Sequence, residues 1–525
     1  MINMIWRSEM ISEELKKARE YEEQAEKAIS ESERPVYHLT ARTGWLNDPN
    51  GFSFFGGKYH LFYQYYPYES KWGPMHWGHV VSSDMIKWEY LPTALAPDSE
   101  YDRSGCFSGS SVTMPNGKQM IMYTGCSEDP SDEKGRWKQQ QCIAIGDGTD
   151  YEKCEDNPVI TEDDLPDGAD PHEFRDPYLW KVGSGRYRAV IANANDKNGG
   201  TTQMCLYKSD DAMHWRRESV LFEDSLKTGI MWECPNFFRI GSHFVLMACP
   251  MDMEMEAEEA EGSVRFPKGN NECYMTGLFD EYTGEFVPQT SEDFNPLYYP
   301  VDCGLDFYAA QVLAAPDNRY IMIAWMQDPE NSRNVDPSRK IYGQLTCPRE
   351  LFIKQGKLCQ KPIRELAEYR GQETHYDHVS LNGETELDGI SGRVADIILR
   401  LRPEAITTDT DARELSYNRF SIRFAGDKDV YTEFSYDPHS STVTIDRTKS
   451  VPGKTVSGSR KTKVRNRDGS IDLRILLDRN SAEIFINDGE QVITTTLETP
   501  QDYKGISFLC SGKAIMNISK YELEK

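Results

Sequence analysis

The sequence predicts an all-β protein: a five-bladed β-propeller followed by a C-terminal β-sandwich, with a short N-terminal helix ahead of both. Three observations predict it. After residue 35 the chain turns into short aromatic and β-branched runs, such as YHLFYQYY at 59–66 and MIMYT at 120–124, broken by Gly, Asn, Asp and Pro. Such runs bounded by turn residues read as strands. Within them a polar or charged residue beside aromatics recurs at Asp48, Phe107, Asp176, Glu233 and Phe307, with spacings of 59, 69, 57 and 74 residues. A second mark is a Ser-Asp, Gly-Asp or Asp-Glu turn followed by an aromatic: Trp88, Tyr151, Trp215 and Phe286, lying 40, 44, 39 and 53 residues after the first four. Two independent features in nearly one register imply repeated units of about sixty residues, each a four-stranded propeller blade.

The elements follow in chain order. Residues 11–30 (ISEELKKAREYEEQAEKAIS) are dense in helix formers with Glu and Lys at spacings that allow i,i+4 pairs, so one helix is expected in a lead-in covering residues 1–33. The propeller is placed at 34–355. The long offset of 53 in the fourth unit coincides with the acidic run MDMEMEAEEAE at 251–261, read as an insertion whose ordinary role is a solvated loop. CQKPIRELAEYR at 359–370 marks a short helical linker, placed at 356–372. From 373 to 525 no helical period returns. Strands at 473–477, 483–486 and 491–497 around the Asn487-Asp488-Gly489 turn form a hairpin signal, and a sandwich is the economical fold for that length.

Composition narrows the function. Over 525 residues, 59 Lys and Arg against 85 Asp and Glu leave a net charge of −26, which repels phosphate backbones and anionic lipid surfaces. Nucleic acid and membrane are therefore not expected partners. The twelve cysteines include no C-x-x-C pair, which argues against a disulfide scaffold or a zinc site and for a reducing compartment. The first thirty residues lack the apolar core of an export signal, and a cytoplasmic location is the expectation. Oligomeric state is left open.

Three strings carry the chemistry. Asn47-Asp48-Pro49-Asn50-Gly51 alone is a turn; Arg175-Asp176-Pro177 alone is an ion pair at a turn; Trp232-Glu233-Cys234-Pro235 sets a carboxylate between Trp and Cys, where desolvation is expected. The repeat changes these readings, because matching positions in successive blades lie at matching radii around the central channel. Three acids then converge, and mutual repulsion with burial keeps one of them protonated beside an ionised partner. Glycoside hydrolysis needs that asymmetry: a proton for the leaving oxygen and an anion facing the oxocarbenium centre, the two carboxyls about 5–5.5 Å apart when configuration is retained. His76-Trp77-Gly78-His79 lacks the helical spacing of a zinc site, and neither a metal nor any other cofactor is expected.

WLNDPNG at 45–51, FRDP at 174–177 and WECP at 232–235 resemble the three signatures of glycoside hydrolase family 32, the invertase or β-fructofuranosidase family. HLFYQYYP at 60–67, WGPMHWGH at 72–79, FSGS at 107–110, DFYAAQ at 306–311, CPREL at 347–351 and DRNSAEIFINDG at 478–489 extend the resemblance across the chain from about residue 34. It implies a five-bladed propeller joined to a sandwich and a retaining mechanism: Asp48 as nucleophile, Glu233 as general acid and base, Asp176 gripping fructosyl hydroxyls, with Arg175 orienting it. Asn47, Gln64, Trp72, Phe107 and Ser108 match positions that surround the fructose ring. The flavour of sequence is the bacterial sucrase and sucrose-6-phosphate hydrolase type, so the expected partner is a small sugar, sucrose or its 6-phosphate. A fructan exo-hydrolase, an inverting arabinoside hydrolase, and a non-catalytic sugar- or calcium-binding propeller are the rival readings. Asn236 stands where many relatives carry an acid.

Overall fold

The computed structural model describes residues 11–195, 200–224, 228–253, 266, 268–327, 335, 338–409, 412–450, 458–465 and 467–524. The acidic run at 251–261 lies outside the described residues from 254 onward.

The N-terminal helix spans Glu13–Ala25, shorter than the composition suggests, and passes into a 3-10 turn at Glu26–Ala28. Ser12 caps it by accepting from the Leu15 amide, satisfying one of the orphan donors of the first turn. Its buried face is narrow, Leu15, Ala18 and Glu22. Glu22 takes the amide and hydroxyl of Thr93 and an ion pair with Arg42, which seats the helix on the outer strand of the first blade.

Five antiparallel sheets follow, each read from its innermost strand outward. They begin with Gly44–Phe55, Gly105–Thr113, Ala169–Lys181, Trp232–Ile240 and Tyr308–Ala314. Each of the first marks therefore lies on, or one residue before, an innermost strand. The second marks lie at the outer strands: Trp88 just ahead of Glu89–Leu95, Tyr151 opening Tyr151–Lys153, Trp215 opening Trp215–Glu223 and Phe286 within Glu285–Pro288. The fifth blade ends with Lys357–Pro362, paired to Arg349–Lys354, so the expected edge at 355 falls in the turn between its last two strands. The linker helix is a 3-10 segment at Arg364–Tyr369. A short strand at Ile341–Tyr342 pairs parallel with Gly44–Trp45 and ties the first blade to the fifth.

Successive blades bury apolar side chains against one another. Phe62 and Trp77 pack on Cys106 and Tyr123 between the first two; Met122 and Ile143 meet Phe174 and Ile191 next; Val190 and Leu206 meet Trp232 and Phe237; Phe238 and Met247 meet Phe307 and Met322. Trp45, Leu61 and Tyr63 meet Tyr308, Ile321 and Trp325 and close the ring, continuing into Leu476 and Phe485 of the second domain. Alternating strands buried on both sides give every blade two apolar faces.

The second domain is a sandwich around its own core. Its long last strand, Gly505–Leu523, pairs with Arg370–Thr385, Ala395–Pro403 and Tyr417–Gly426. The expected hairpin is present as Ile471–Asp478, Ser481–Ile486 and Gln491–Thr496. Its turn comes so close to the propeller that a Cβ on Gly489 would lie 1.5 Å from the Gln360 carbonyl oxygen. Buried charges span the same interface. Arg349, fully enclosed, donates to Asp302, Glu483 and Thr494, and His38 bridges Asp478 and Glu483 at 2.9 Å each.

Candidate active site

All five innermost strands break register at the same level. The irregularity covers Asn47 and Asp48 in the first blade, Ser108 in the second, Asp176 and Pro177 in the third, Cys234 and Pro235 in the fourth, and Ala309 and Ala310 in the fifth. A bulge leaves a residue outside the ladder and re-aims its side chain. Pro is tolerated there because no ladder hydrogen bond is demanded of it. Three bulges hold a non-glycine residue in left-handed backbone: Asp176 at φ 64°, Cys234 at 50° and Ala309 at 55°. The ring of bulges brings residues from distant parts of the chain around one opening.

Asp48 is held by both oxygens, Oδ1 accepting from Asn47 Nδ2 at 2.9 Å and Oδ2 from Ser108 Oγ at 2.6 Å. The Trp45 indole in turn donates to Asn47 Oδ1 at 2.7 Å. Asp176 accepts the Cys234 amide at 3.0 Å, and its own amide donates to Thr124 Oγ1. The Cys234 thiol lies 3.6 Å from a carboxylate oxygen of each aspartate. Glu233 receives the Arg175 Nε at 2.9 Å on one oxygen and the Tyr308 hydroxyl at 2.7 Å on the other. Arg175 is itself anchored by Glu173 and Gln139 and lies 4.0 Å from Asp176.

Burial pushes Asp176 up to about 7; Arg175 pulls it down, while the charges of Glu233 and Asp48 push it further up. Asp48 is also raised, by burial first and then by Glu233, with the Ser108 and Asn47 hydrogen bonds opposing. The three acids thus repel one another inside a poorly hydrated space.

The immediate environment of Glu233 differs from the expectation. Trp232 does not cover it. Adjacent side chains of a strand point to opposite faces, so Trp232 packs into the apolar layer between blades three and four, away from Glu233. Cys234 lies in the bulge, at φ 50°, and leaves that alternation to turn toward the two aspartates. Arg175 and Tyr308 flank Glu233 instead. Tyr308 stood in the DFYAAQ string without an assigned part; an aromatic hydroxyl next to a bulge was the available signal.

The remaining expected residues divide. Phe107 and the 43 % exposed Trp72 form an aromatic wall, edge-on at 5.9 Å, with Trp137 stacked on Trp72 at 5.9 Å and 14°. Trp137 had no motif to mark it. Gln64 is buried, and its amide donates to the Cys106 carbonyl at 3.0 Å, bridging the first two blades. Asn236 is equally buried and braces the fifth blade through Ala310 and Val312. His76 and His79 are enclosed, the former on the Pro74 carbonyl and the latter stacked on Phe62 at 4.0 Å.

Comparison with known proteins identifies the family of both domains. The glycosyl hydrolases family 32 N-terminal domain matches residues 38–362 and the family 32 C-terminal domain residues 365–523. The sucrose-6-phosphate hydrolase of Zymomonas mobilis is 34% identical over 519 residues, 96% of this chain and 95% of that protein. The raffinose invertase of Escherichia coli is 33% identical over 92% of this chain and 93% of its own. Among solved structures, the family 32 β-fructofuranosidase of Bombyx mori superposes with a TM-score of 0.79 at 28% identity, covering 97% of this chain and 98% of that one. The sucrose-6-phosphate hydrolase of Lactobacillus gasseri also gives 0.79, at 25% identity over 96% of both chains. A propeller with three converging acids, a sandwich docked on it, and family matches over both domains lead to one conclusion: the chain belongs to glycosyl hydrolases family 32, as a glycoside hydrolase of the β-fructofuranosidase type.

Proposed function

We propose that this chain cleaves the terminal non-reducing β-fructofuranosyl unit of sucrose or sucrose 6-phosphate with retention, through Asp48, Asp176 and Glu233. The observation that carries the reading is the convergence of these three side chains from three separate blades: Cys234 lies 3.6 Å from both Asp48 and Asp176, and Arg175 lies 2.9 Å from Glu233 and 4.0 Å from Asp176. Asp48, fixed by Ser108 and Asn47, attacks the anomeric carbon of the fructosyl unit as Glu233 gives a proton to the bridging oxygen. The glucosyl product leaves with that proton. Glu233 then takes a proton from water, which attacks the same carbon and releases Asp48 and fructose. Asp176 grips fructosyl hydroxyls, and Trp72 and Phe107 offer flat apolar surface to a sugar ring. Named relatives support the substrate: two are sucrose-6-phosphate hydrolases and a third is a raffinose invertase, and the Bombyx mori relative has been solved in complex with sucrose.

Turnover of sucrose, sucrose 6-phosphate and inulin by the purified protein tests the substrate. Asp48→Asn should lower kcat by about 10⁴-fold or more and Glu233→Gln by about 10²–10⁴-fold, with the circular dichroism of both variants unchanged. Methanol added during turnover should give methyl β-fructofuranoside; the α product would refute retention. Near wild-type turnover in either folded variant would refute the roles.

A further inference from the structure

Behind the site, immediately before the third strand of the fourth blade at Cys273–Asp280, lies a buried acid that the proposed reaction does not use. Glu272 is 3 % exposed. Its Oε2 accepts the Ala310 amide at 3.0 Å, and its Oε1 is enclosed without a hydrogen-bond partner among the described residues. The preceding amide of the same bulge, Ala309 N, donates to Cys249 Sγ at 3.2 Å. The Ala310 carbonyl accepts from Asn236 Nδ2 at 2.7 Å. Glu272, Cys249 and Asn236 therefore clamp the bulge in which Ala309 holds φ 55°. The residue immediately before it is Tyr308, whose hydroxyl sits 2.7 Å from Glu233. Cys249 also lies opposite Glu233 in the strand ladder.

We propose that Glu272 is a positioning residue for the proton donor: by fixing the Ala309–Ala310 bulge it keeps the Tyr308 hydroxyl on Glu233 and so sets the direction in which Glu233 meets the bridging oxygen. This rests on the assignment of Glu233 made above. The charge state suits the part. Burial pushes the Glu272 carboxyl up to about 8, with the Ala310 amide, Cys249 and Arg349 pulling down and Asp302 pushing up. At neutral pH the clamp is therefore mostly protonated and adds little negative charge next to the three acids.

The test exploits leaving groups. Sucrose needs a proton on its departing oxygen, whereas p-nitrophenyl β-D-fructofuranoside departs as a stable phenolate and needs little help. Glu272→Ala should lower kcat/KM for sucrose by about tenfold or more, since small displacements of a catalytic group are costly, while changing the p-nitrophenyl substrate less than about threefold. Glu272→Gln keeps an acceptor for the Ala310 amide and should restore sucrose to within about threefold of wild type. Equal losses on both substrates, or no loss on either, would overturn the proposal. If Glu272→Ala does not fold, the same split is required of Glu272→Ser, and its absence overturns the proposal equally. Glu233→Gln measured in parallel separates the two readings. If it shows the split and the Glu272 variants do not, only Glu272 loses its part. If Glu233→Gln shows none, the assignment of Glu233 fails and this inference with it.

Discussion

Cys234 reaches both aspartates, and its position explains how two like charges are held close together. Its amide neutralises part of Asp176 while its thiol offers a weak donor to Asp48 and Asp176 alike. The balance is still unfavourable to full ionisation, because burial outweighs those hydrogen bonds and leaves Asp176 at about 7. Glu233 contributes to that rise. Replacing Glu233 by Gln removes a neighbouring negative charge, so Asp176 should titrate at lower pH in the variant. Calorimetric binding of fructose across pH checks this: an inflection near 7 in the wild-type protein should move toward the ordinary carboxylate range. An inflection that stays in place would show that burial alone sets it. At this scale the sequence was legible where an acid stood in a marked string, as Asp48, Asp176 and Glu233 did. Glu272 and Trp137 were not, because one lies just ahead of the strand Cys273–Asp280 and the other opens the strand Trp137–Gly146, and neither carries a local pattern that separates it from its ordinary neighbours.

The element that makes the site is the bulge, repeated once per blade. A regular strand would alternate its side chains between the two apolar faces of a blade, leaving no position that points along the channel. One extra residue per strand supplies that position, and this is why the repeat marks of blades one, three and four coincide with catalytic candidates: there an acid and a Pro are the imprint of a bulge in an otherwise apolar strand. The backbone cost sits mainly where a non-glycine residue takes positive φ, about 1–3 kcal/mol each. At Ala309, Gly should be accepted within about 1 kcal/mol, since it relieves the steric cost and adds chain entropy. Val should destabilise by about 1–3 kcal/mol or more, because a β-branched side chain is strained at φ 55°. Urea unfolding of the two variants against wild type measures both. A Val variant as stable as the Gly variant would mean that the bulge relaxes freely. The N-terminal helix shows the converse limit. Composition extended it over 11–30, but the α-helix ends at Ala25, because its run of charged side chains gives propensity without an apolar face to hold the last turn.

At the scale of the whole molecule, the sandwich is fastened to the propeller through buried charge as well as apolar contact. The charged part of that fastening was not legible as a contact: Arg349, Asp478 and Glu483 stood in marked strings, but nothing local joins them to one another or to His38, up to 445 residues away. His38 gains two carboxylate partners on folding. Burial opposes its charge, but Asp478 and Glu483 outweigh burial and raise it to about 9. Because the folded value is above the unfolded one near 6.5, its stabilisation is fully present below about pH 6.5 and is lost as pH rises through about 9. His38→Gln should therefore destabilise strongly at pH 6, by about 3–5 kcal/mol if it acts as the removal of one partner from a buried ionic group. The gap from wild type should close progressively toward pH 10, where the native histidine is neutral as well. Thermal unfolding of both proteins at pH 6, 8 and 10 reads the difference directly. A gap in Tm that is constant with pH would mean that His38 fills space and hydrogen-bonds at this interface without carrying charge.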